Sequence, residues 1–343
     1  MKTRVLVVDD SPLIRQILTD LVASEPDLEV IGQCRDGAEA VVRIDELKPD
    51  VVTMDVEMPN MNGLDALEQV MAKHRVPVIM VSTRTSAGAQ TTLRALELGA
   101  FDFVCKPKNG AISAIREVKA ELLGKIRAAK GAKVGAMAKA SRPAMALPRS
   151  TDKILLIASS TGGPKALATF FESLPVGFPA PILMVQHMPV GFTASLAQRL
   201  NGMGRVAVRE ARSGDKPEPG LALLAPGGLH LTFRPNGTLE LTDDPPMHGV
   251  KPAADLLFLS AAKLFGSRLV ATVLTGMGRD GAEGALAVRK AGGTVLAESE
   301  ETCTVYGMPR AAVELGAVHG VHRIEALPGE VGKLIAGRMA NAS

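Results

Sequence analysis

Twice along this chain, short runs of β-branched and aliphatic residues alternate with longer stretches of helical period, and a segment of different texture separates the two series. In the first series the strand candidates are 4–8, 30–34, 51–54, 77–81 and 102–105, each followed by a helical pattern. Neighbouring parallel strands need a crossover, and a helix of 10 to 15 residues supplies one, so the pattern predicts a doubly wound α/β domain with a parallel sheet covered on both faces. A second parallel α/β sheet is expected from runs at 154–158, 182–186, 221–225, 269–274 and 294–297. Within it, residues 229–241 alternate around Asn236-Gly237, which predicts an inserted β-hairpin with a two-residue turn.

Between the two series, residues 122–151 hold no Asp or Glu, seven basic residues and much Ala and Gly. This composition has too little bulky apolar content to order a chain and predicts a tether, its early part to about Ala129 continuing a helix. The expected division is therefore 1–122, a linker at 123–152, and 153–343. The formal charge of +3 over 343 residues is too small to imply attraction to nucleic acid or an anionic membrane across the whole surface. Removing the linker's +7 leaves −4 for the folded parts, so any electrostatic partnering should depend on the tether.

With no Trp, one Tyr and nine Phe, the chain has little to stack on exposed bases, and a single-stranded nucleic acid is not the expected ligand. Cys34, Cys105 and Cys303 lie far apart, with neither a disulfide framework nor a CxxC metal pair, an arrangement that fits a reducing compartment. No apolar run approaches the ~20 residues of a membrane span, and Met1 opens directly into a strand-like run, so a cytoplasmic chain is expected.

Strand ends carry the chemistry. In the first domain Asp9 and Asp10 follow the first strand and Asp55 the third, which in a doubly wound sheet gathers them at the carboxyl edge, where ligands bind. Three carboxylates there repel one another unless a cation neutralises them, and an all-oxygen set of this kind suits Mg²⁺. Ser82 and Lys106, at the ends of the fourth and fifth strands, supply a hydroxyl and an ammonium for phosphoryl oxygens. A single strand-end Asp is more often a loop former or helix cap; five suitable groups on the strand ends are harder to attribute to capping.

At these residues the chain resembles the two-component receiver domains, through VVDDSP (7–12), MDVEMPNMNG (54–63), MVS (80–82) and FVCKP (103–107). The resemblance covers about residues 1–122 and implies a flavodoxin-like fold. It makes Asp55 the phosphoacceptor and gives Mg²⁺ to Asp9, Asp10, Asp55 and the backbone carbonyl of Glu57. It also puts Ser82 and Lys106 against the phosphoryl group and places Phe103 where the family carries its aromatic switch. A carboxylate is a competent nucleophile toward phosphorus once such charges offset its own.

In the second domain, ILLIASSTGGPKAL (154–167) runs from a buried strand through a tight turn into a helix start, setting Ser160 near backbone N–H groups suited to an oxyanion. A capping hydroxyl or a phosphate-holding loop is the alternative. ILMVQHMP (182–189) ends a strand in His187, and LVATVLTGMGRDGAEG (269–284) ends another in a glycine loop carrying Asp280. Of the other five histidines only His248 has a setting at all comparable. Ser160, His187 and Asp280 on three carboxyl-edge loops supply nucleophile, general base and orienting carboxylate.

The same glycine loop also spells GxGxxG from Gly276 to Gly281, with Glu298 about 20 residues on, the form of a dinucleotide fingerprint. Asp280 inside that loop would set like charge against a pyrophosphate, and the loop follows a late strand, so this reading is set aside.

These segments, with LLAPGGLH (223–230), DLLFLSAAKLFG (255–266) and CTVYGMPRAAVELG (303–316), resemble the catalytic domain of the chemotaxis methylesterases of the CheB family over residues 153 to about 337. The resemblance implies a Rossmann-like sheet, the triad Ser160, His187 and Asp280, and a Met277 amide at the oxyanion. By the same resemblance this domain has no cofactor, and the receiver covers its cleft until Asp55 is phosphorylated. The implied substrate is a γ-glutamyl methyl ester on a methylated chemoreceptor, hydrolysed with release of methanol, and glutamine deamidation often accompanies it. The implied phosphodonor is a chemotaxis histidine kinase; neither nucleic acid nor membrane insertion is expected. The chain departs from the family at Ala253, where a serine is usual. The rival reading is a non-enzymatic response regulator whose degenerate, esterase-like output domain binds a partner.

Overall fold

The computed structural model describes residues 1–83, 85–106, 112–132, 151–175 and 177–337. The centre of the basic segment, 133–150, lies outside the described residues. The chain divides into two compact units, Met1–Met137 and Ala138–Ser343.

The first unit alternates β1 (Thr3–Val8), α1 (Pro12–Ala23), β2 (Leu28–Cys34), α2 (Gly37–Leu47), β3 (Val51–Asp55), α3 (Gly63–Lys73), β4 (Val78–Ser82), α4 (Ser86–Leu98), β5 (Asp102–Cys105) and α5 (Ile112–Ala129). Its strands form one parallel sheet in the order β2-β1-β3-β4-β5. The order reverses direction between β1 and β3, and that switch opens the crevice in which doubly wound sheets bind ligands. Val5 to Val8, Val51, Val52 and Ile79 are shielded from solvent on both faces, which is why these strands read as unbroken apolar runs.

Helix α5 extends past residue 122 because it is held to the sheet. Lys125 is buried, its Nζ 3.3 Å from Asp102 and 2.6 Å from Glu121. Arg127 forms ion pairs at 2.8 Å with both Glu25 and Asp27. These two charges, counted with the tether from composition, are satisfied within the first unit.

The second unit contains β6 (Ile154–Ser159), α6 (Gly163–Ser173), β7 (Ile182–Gln186), α7 (Phe192–Gly202), β8 (Ala207–Glu210), β9 (Leu221–Leu224), β10 (His230–Phe233), β11 (Leu239–Thr242), α8 (Ala254–Phe265), β12 (Leu269–Val273), α9 (Ala282–Lys290), β13 (Thr294–Glu298), α10 (Met308–Glu314), β14 (Gly320–His322) and α11 (Leu327–Ile335). Seven strands make a parallel sheet in the order β14-β13-β12-β6-β7-β9-β8. Its switch point lies between β6 and β12. Alternate residues of these strands, including Leu156, Ala158, Leu183 and Val273, pack against Leu257 and Phe258 of α8 in one core. Two strands of this sheet, β8 and β14, were not anticipated, and both are edges.

The β10–β11 hairpin forms a separate two-stranded sheet, with Phe233 packed edge-on against Phe265 of α8 at 4.8 Å. Its turn is longer than the two residues expected. Pro235 follows Arg234, Gly237 N donates to Arg234 O (2.9 Å), and only Gly237 takes a positive φ, +80°. Proline at the second turn position fixes φ near −65°, which favours this four-residue turn with a glycine bulge over the Asn-Gly form.

Candidate active site

At the switch point of the first sheet, Asp9 and Asp55 are buried and Asp10 is exposed, with one carboxylate oxygen of each within 4.8 Å of the others. Lys106 reaches both buried partners, its Nζ 2.9 Å from Asp9 Oδ2 and 2.8 Å from Asp55 Oδ2. Burial pushes the Asp55 carboxyl up to about 6; the Lys106 bond works against this and the Asp9 charge adds to it. Burial also works against the Lys106 ammonium, but the hydrogen bond it donates to Asp55 and the neighbouring Asp9 charge raise it.

Among the described residues one ammonium answers two of these three carboxylates, the Arg15 guanidinium is taken by the Asp9 and Asp10 carbonyls, and Asp9 Oδ2, though close to Lys106, has no aligned hydrogen-bond partner. An oxygen-only donor set with surplus negative charge fits a divalent cation. The Glu57 backbone, like the Lys106 bond, works to lower the Asp55 carboxyl. Glu57 also lines a cleft of about 650 Å³ beside the cluster, with Asp10, Asn62 and Thr91. The Ser82 hydroxyl is buried and engaged with Thr92 Oγ1 at 2.7 Å, on α4. Phe103 is buried, its ring 5.2 Å from Lys125 Nζ.

In the second sheet, Ser160 follows β6, His187 follows β7 and Asp280 lies in the loop after β12, so the three sit on adjacent strand ends about the switch point. His187 Nε2 lies 2.7 Å from Asp280 Oδ2. The other ring nitrogen, Nδ1, is buried and has no hydrogen-bond partner among the described residues. With Nε2–H directed at Asp280, Nδ1 keeps the lone pair that a general base requires.

Asp280 also accepts the Ala254 amide at 2.6 Å and the Asp255 amide at 3.0 Å. These are the first amides of α8, whose N-cap, Ala253, offers no side-chain acceptor. The carboxylate therefore caps α8 from another element. Burial alone would raise its pKa, but the His187 bond and the two amides hold it below the usual carboxylate range.

Ser160 is placed by its backbone. Its amide donates to Thr275 O (3.0 Å), and Gln186 Nε2 donates to its carbonyl at 2.9 Å. No side-chain hydroxyl caps α6, whose N-cap is Gly162 at φ +78°, so a capping role for Ser160 does not hold. Gly276 sits directly against it: a methyl group there would come within 2.8 Å of Ser160 Cβ. In the same loop Met277 is exposed, and among the described residues no backbone acceptor meets its N–H.

Glu298, the residue that a dinucleotide reading would assign to a ribose, is completely buried and bonded to Thr275 and Thr302. It faces no ligand space.

Two residues of this site went unread in the sequence. Gln186 is buried and braces Ser160, and it also donates to His187 O at 3.2 Å; its position directly before His187 was the available signal. Asp255 is buried, accepts the Gly284 amide at 2.6 Å and lies 2.9 Å from His248 Nε2, which makes a second His–Asp pair beside the first. The segment 255–266 opens on Asp255 but does not show the pairing, since its partners His248 and Gly284 lie 7 and 29 residues away.

A receiver sheet and a separate α/β hydrolytic sheet, each with reactive groups at its switch point, define a response regulator with an enzymatic output domain. Two family models match: the response regulator receiver domain over residues 5–116 and the CheB methylesterase over residues 155–331. The chain belongs to the CheB methylesterase family. A protein-glutamate methylesterase/protein-glutamine glutaminase of Pyrococcus abyssi is 45% identical, covering 95% of this chain and 92% of the relative. One of the same name from Thermotoga maritima is 46% identical over 91% and 93%. The crystal structure of the Thermotoga maritima CheB methylesterase catalytic domain superimposes with a TM-score of 0.52 at 43% identity, covering 53% of this chain and 98% of that domain.

Proposed function

We propose that this chain is a phosphorylation-regulated esterase that hydrolyses γ-glutamyl methyl esters on chemoreceptors and releases methanol, serving adaptation in chemotaxis. The carrying observation is the 2.7 Å contact of His187 with Asp280, on strand ends that flank the one bearing Ser160. Ser160 Oγ attacks the ester carbonyl while His187 takes its proton at Nδ1. Asp280 orients the ring and stabilises its positive charge, and the Met277 N–H receives the developing oxyanion. The imidazolium then protonates the departing methoxide, and water, activated by the same base, hydrolyses the acyl-enzyme to a glutamate carboxylate. A γ-amide fits the same cycle with ammonia as leaving group, which agrees with the glutaminase activity in the relatives' names.

In the receiver domain, Asp55 accepts the phosphoryl group from a chemotaxis histidine kinase, with Lys106 and Ser82 as its contacts. Asp9, Asp10, Asp55 and the Glu57 carbonyl would hold Mg²⁺, which would supply positive charge against the phosphoryl oxygens. The proposed organisation is the receiver near 1–122 with α5 running on to Ala129, a basic tether, and the catalytic domain from 153. A cytoplasmic setting follows from the substrate's position, and among the described residues no helix is long and apolar enough to cross a membrane. No observation favours the non-enzymatic reading.

The test is methanol release from methylated receptor membranes by the full-length chain. Ser160→Ala should lower it by a factor of about 10³ or more while phosphorylation at Asp55 persists. Retained release would remove Ser160 as the nucleophile.

A further inference from the structure

Glu298 ends β13 beside β12 and is 0% exposed. Its Oε2 accepts the Thr275 amide at 2.8 Å and its Oε1 accepts the Thr302 hydroxyl at 3.0 Å. Thr302 Oγ1 in turn accepts the Ile324 amide at 3.1 Å, so its one proton is left for Glu298.

Every remaining polar group of Thr275 holds a part of the site. Its carbonyl accepts the Ser160 amide at 3.0 Å, its hydroxyl donates to Thr161 O at 2.9 Å, and the same oxygen accepts the Val305 amide at 3.0 Å. Thr275 also begins the loop that carries Gly276, Met277 and Asp280. A chain of three short hydrogen bonds thus runs from the Ile324 amide through Thr302 and Glu298 to Thr275, and a fourth continues from Thr275 to Ser160.

Among the described residues no cation answers this carboxylate. The titratable groups about it are Glu325, from the segment before α11, whose charge opposes its own, Cys303, whose Sγ lies 3.9 Å from Glu298 O, and His322, its register partner on β14. Burial pushes the Cys303 thiol up, so it stays neutral. A glutamine would fill the same space without the penalty of a buried charge, so the carboxylate needs a reason beyond packing.

Resting on the reading of Ser160 as nucleophile, we propose that Glu298 is a positioning residue of the esterase site. Its charged carboxylate clamps Thr275, and through it Ser160 and the Met277 loop, and loosens that clamp when protonated. The charged form accepts both hydrogen bonds, and bonds to a charged acceptor are the stronger kind. The neutral form must donate one of them, turning the Thr302 proton toward Ser299 O at 3.5 Å.

Burial pushes the Glu298 carboxyl up to about 7, opposed by the Thr275 and Thr302 bonds and reinforced by Glu325. The clamp therefore changes strength within the working pH range. The folded value lies above the ordinary 4.5. Stability linked to this group is therefore complete below about pH 4.5 and lost as pH rises through about 7.

The experiment measures kcat and KM for methanol release against pH with the full-length wild-type chain, Glu298→Gln, Thr302→Val and Ser160→Ala, together with Tm at pH 5 and pH 8. In the wild type two protonations, at His187 and Glu298, should make the acid limb of kcat steeper than one proton. Glu298→Gln should reduce it to one proton and lower kcat several-fold at pH 8 with KM little changed. Its Tm should exceed the wild-type value at pH 8, and the advantage should disappear at pH 5. Thr302→Val, which keeps the charge but removes a partner, should move the acid limb to higher pH. An unchanged acid limb in Glu298→Gln, or in Thr302→Val if the first variant does not fold, with Ser160→Ala inactive, would overturn the role of Glu298 alone. Turnover persisting in Ser160→Ala would overturn it together with the site assignment on which it rests.

Discussion

At the carboxyl edge of the five-stranded sheet, Asp9 and Asp55 share the single ammonium of Lys106, and Asp10 adds a third carboxylate nearby. At the corresponding edge of the seven-stranded sheet, Asp280 has two helix amides and an imidazole to itself. The consequences are opposite in sign: Asp55 is pushed up to about 6, whereas Asp280 is held below the usual carboxylate range. The same topological position therefore gives a crowded, under-neutralised cluster suited to receiving a cation and a phosphoryl group, and a saturated carboxylate suited to orienting a base. A doubly wound sheet supplies the place, and the local count of donors against acceptors determines the chemistry.

Removing the charge at each edge tests this contrast. Asp280→Asn should lower methanol release about 10³- to 10⁴-fold, because the imidazole loses both its orientation and the stabilisation of its cation. It should also lower Tm, since α8 loses a charged cap. A depressed pKa contributes stability above the ordinary carboxylate range that is lost as pH falls beneath it, so this Tm deficit should be full at pH 7 and shrink only in strong acid. Near-normal turnover in this variant would break the comparison.

Asp55→Asn should abolish stimulation of the esterase by a small acyl phosphate with Mg²⁺; a variant that still responds would relocate the phosphosite. Measured in a chelator at pH 8, the same variant should raise the receiver's Tm by a few degrees. The stability linked to Asp55 is present below the ordinary value of 3.8 and lost as pH rises through about 6. Removal of one carboxylate is thus expected to destabilise one edge and stabilise the other.

The smallest effect is expected from Ala253→Ser, which restores a hydroxyl at the N-cap of α8. Asp280 already takes the Ala254 and Asp255 amides, so the gain in chemical-denaturation stability should fall below about 1 kcal/mol, with turnover little changed. A larger gain would mean that Asp280 caps α8 poorly.

What was legible in the sequence follows from burial. Strands such as β6 and β12 are covered on both faces, so selection for packing leaves an apolar run that ends at a reactive residue. The strands that escaped notice, β8 and β14, form the two edges, where a sequence such as Ala207-Val208-Arg209-Glu210 faces solvent along one side and carries no such signature. Lys125 and Arg127 resembled tether charges because composition does not show that Asp102, Glu25 and Asp27 await them across the fold.

From sequence alone came the two parallel sheets, the basic segment between them, and the placement of Asp9, Asp55, Ser160, His187 and Asp280 on carboxyl-edge loops. Each depends on local periodicity or on a residue's distance from a strand end. Only the tertiary structure decided how those groups are charged and held: one ammonium shared by two carboxylates at one edge, and at the other a capped Asp280, the brace of Gln186 and the buried carboxylate of Glu298. Those properties depend on which donors and acceptors from distant parts of the chain meet out of water, and a hydrogen-bond account of that kind exists only once the chain has folded.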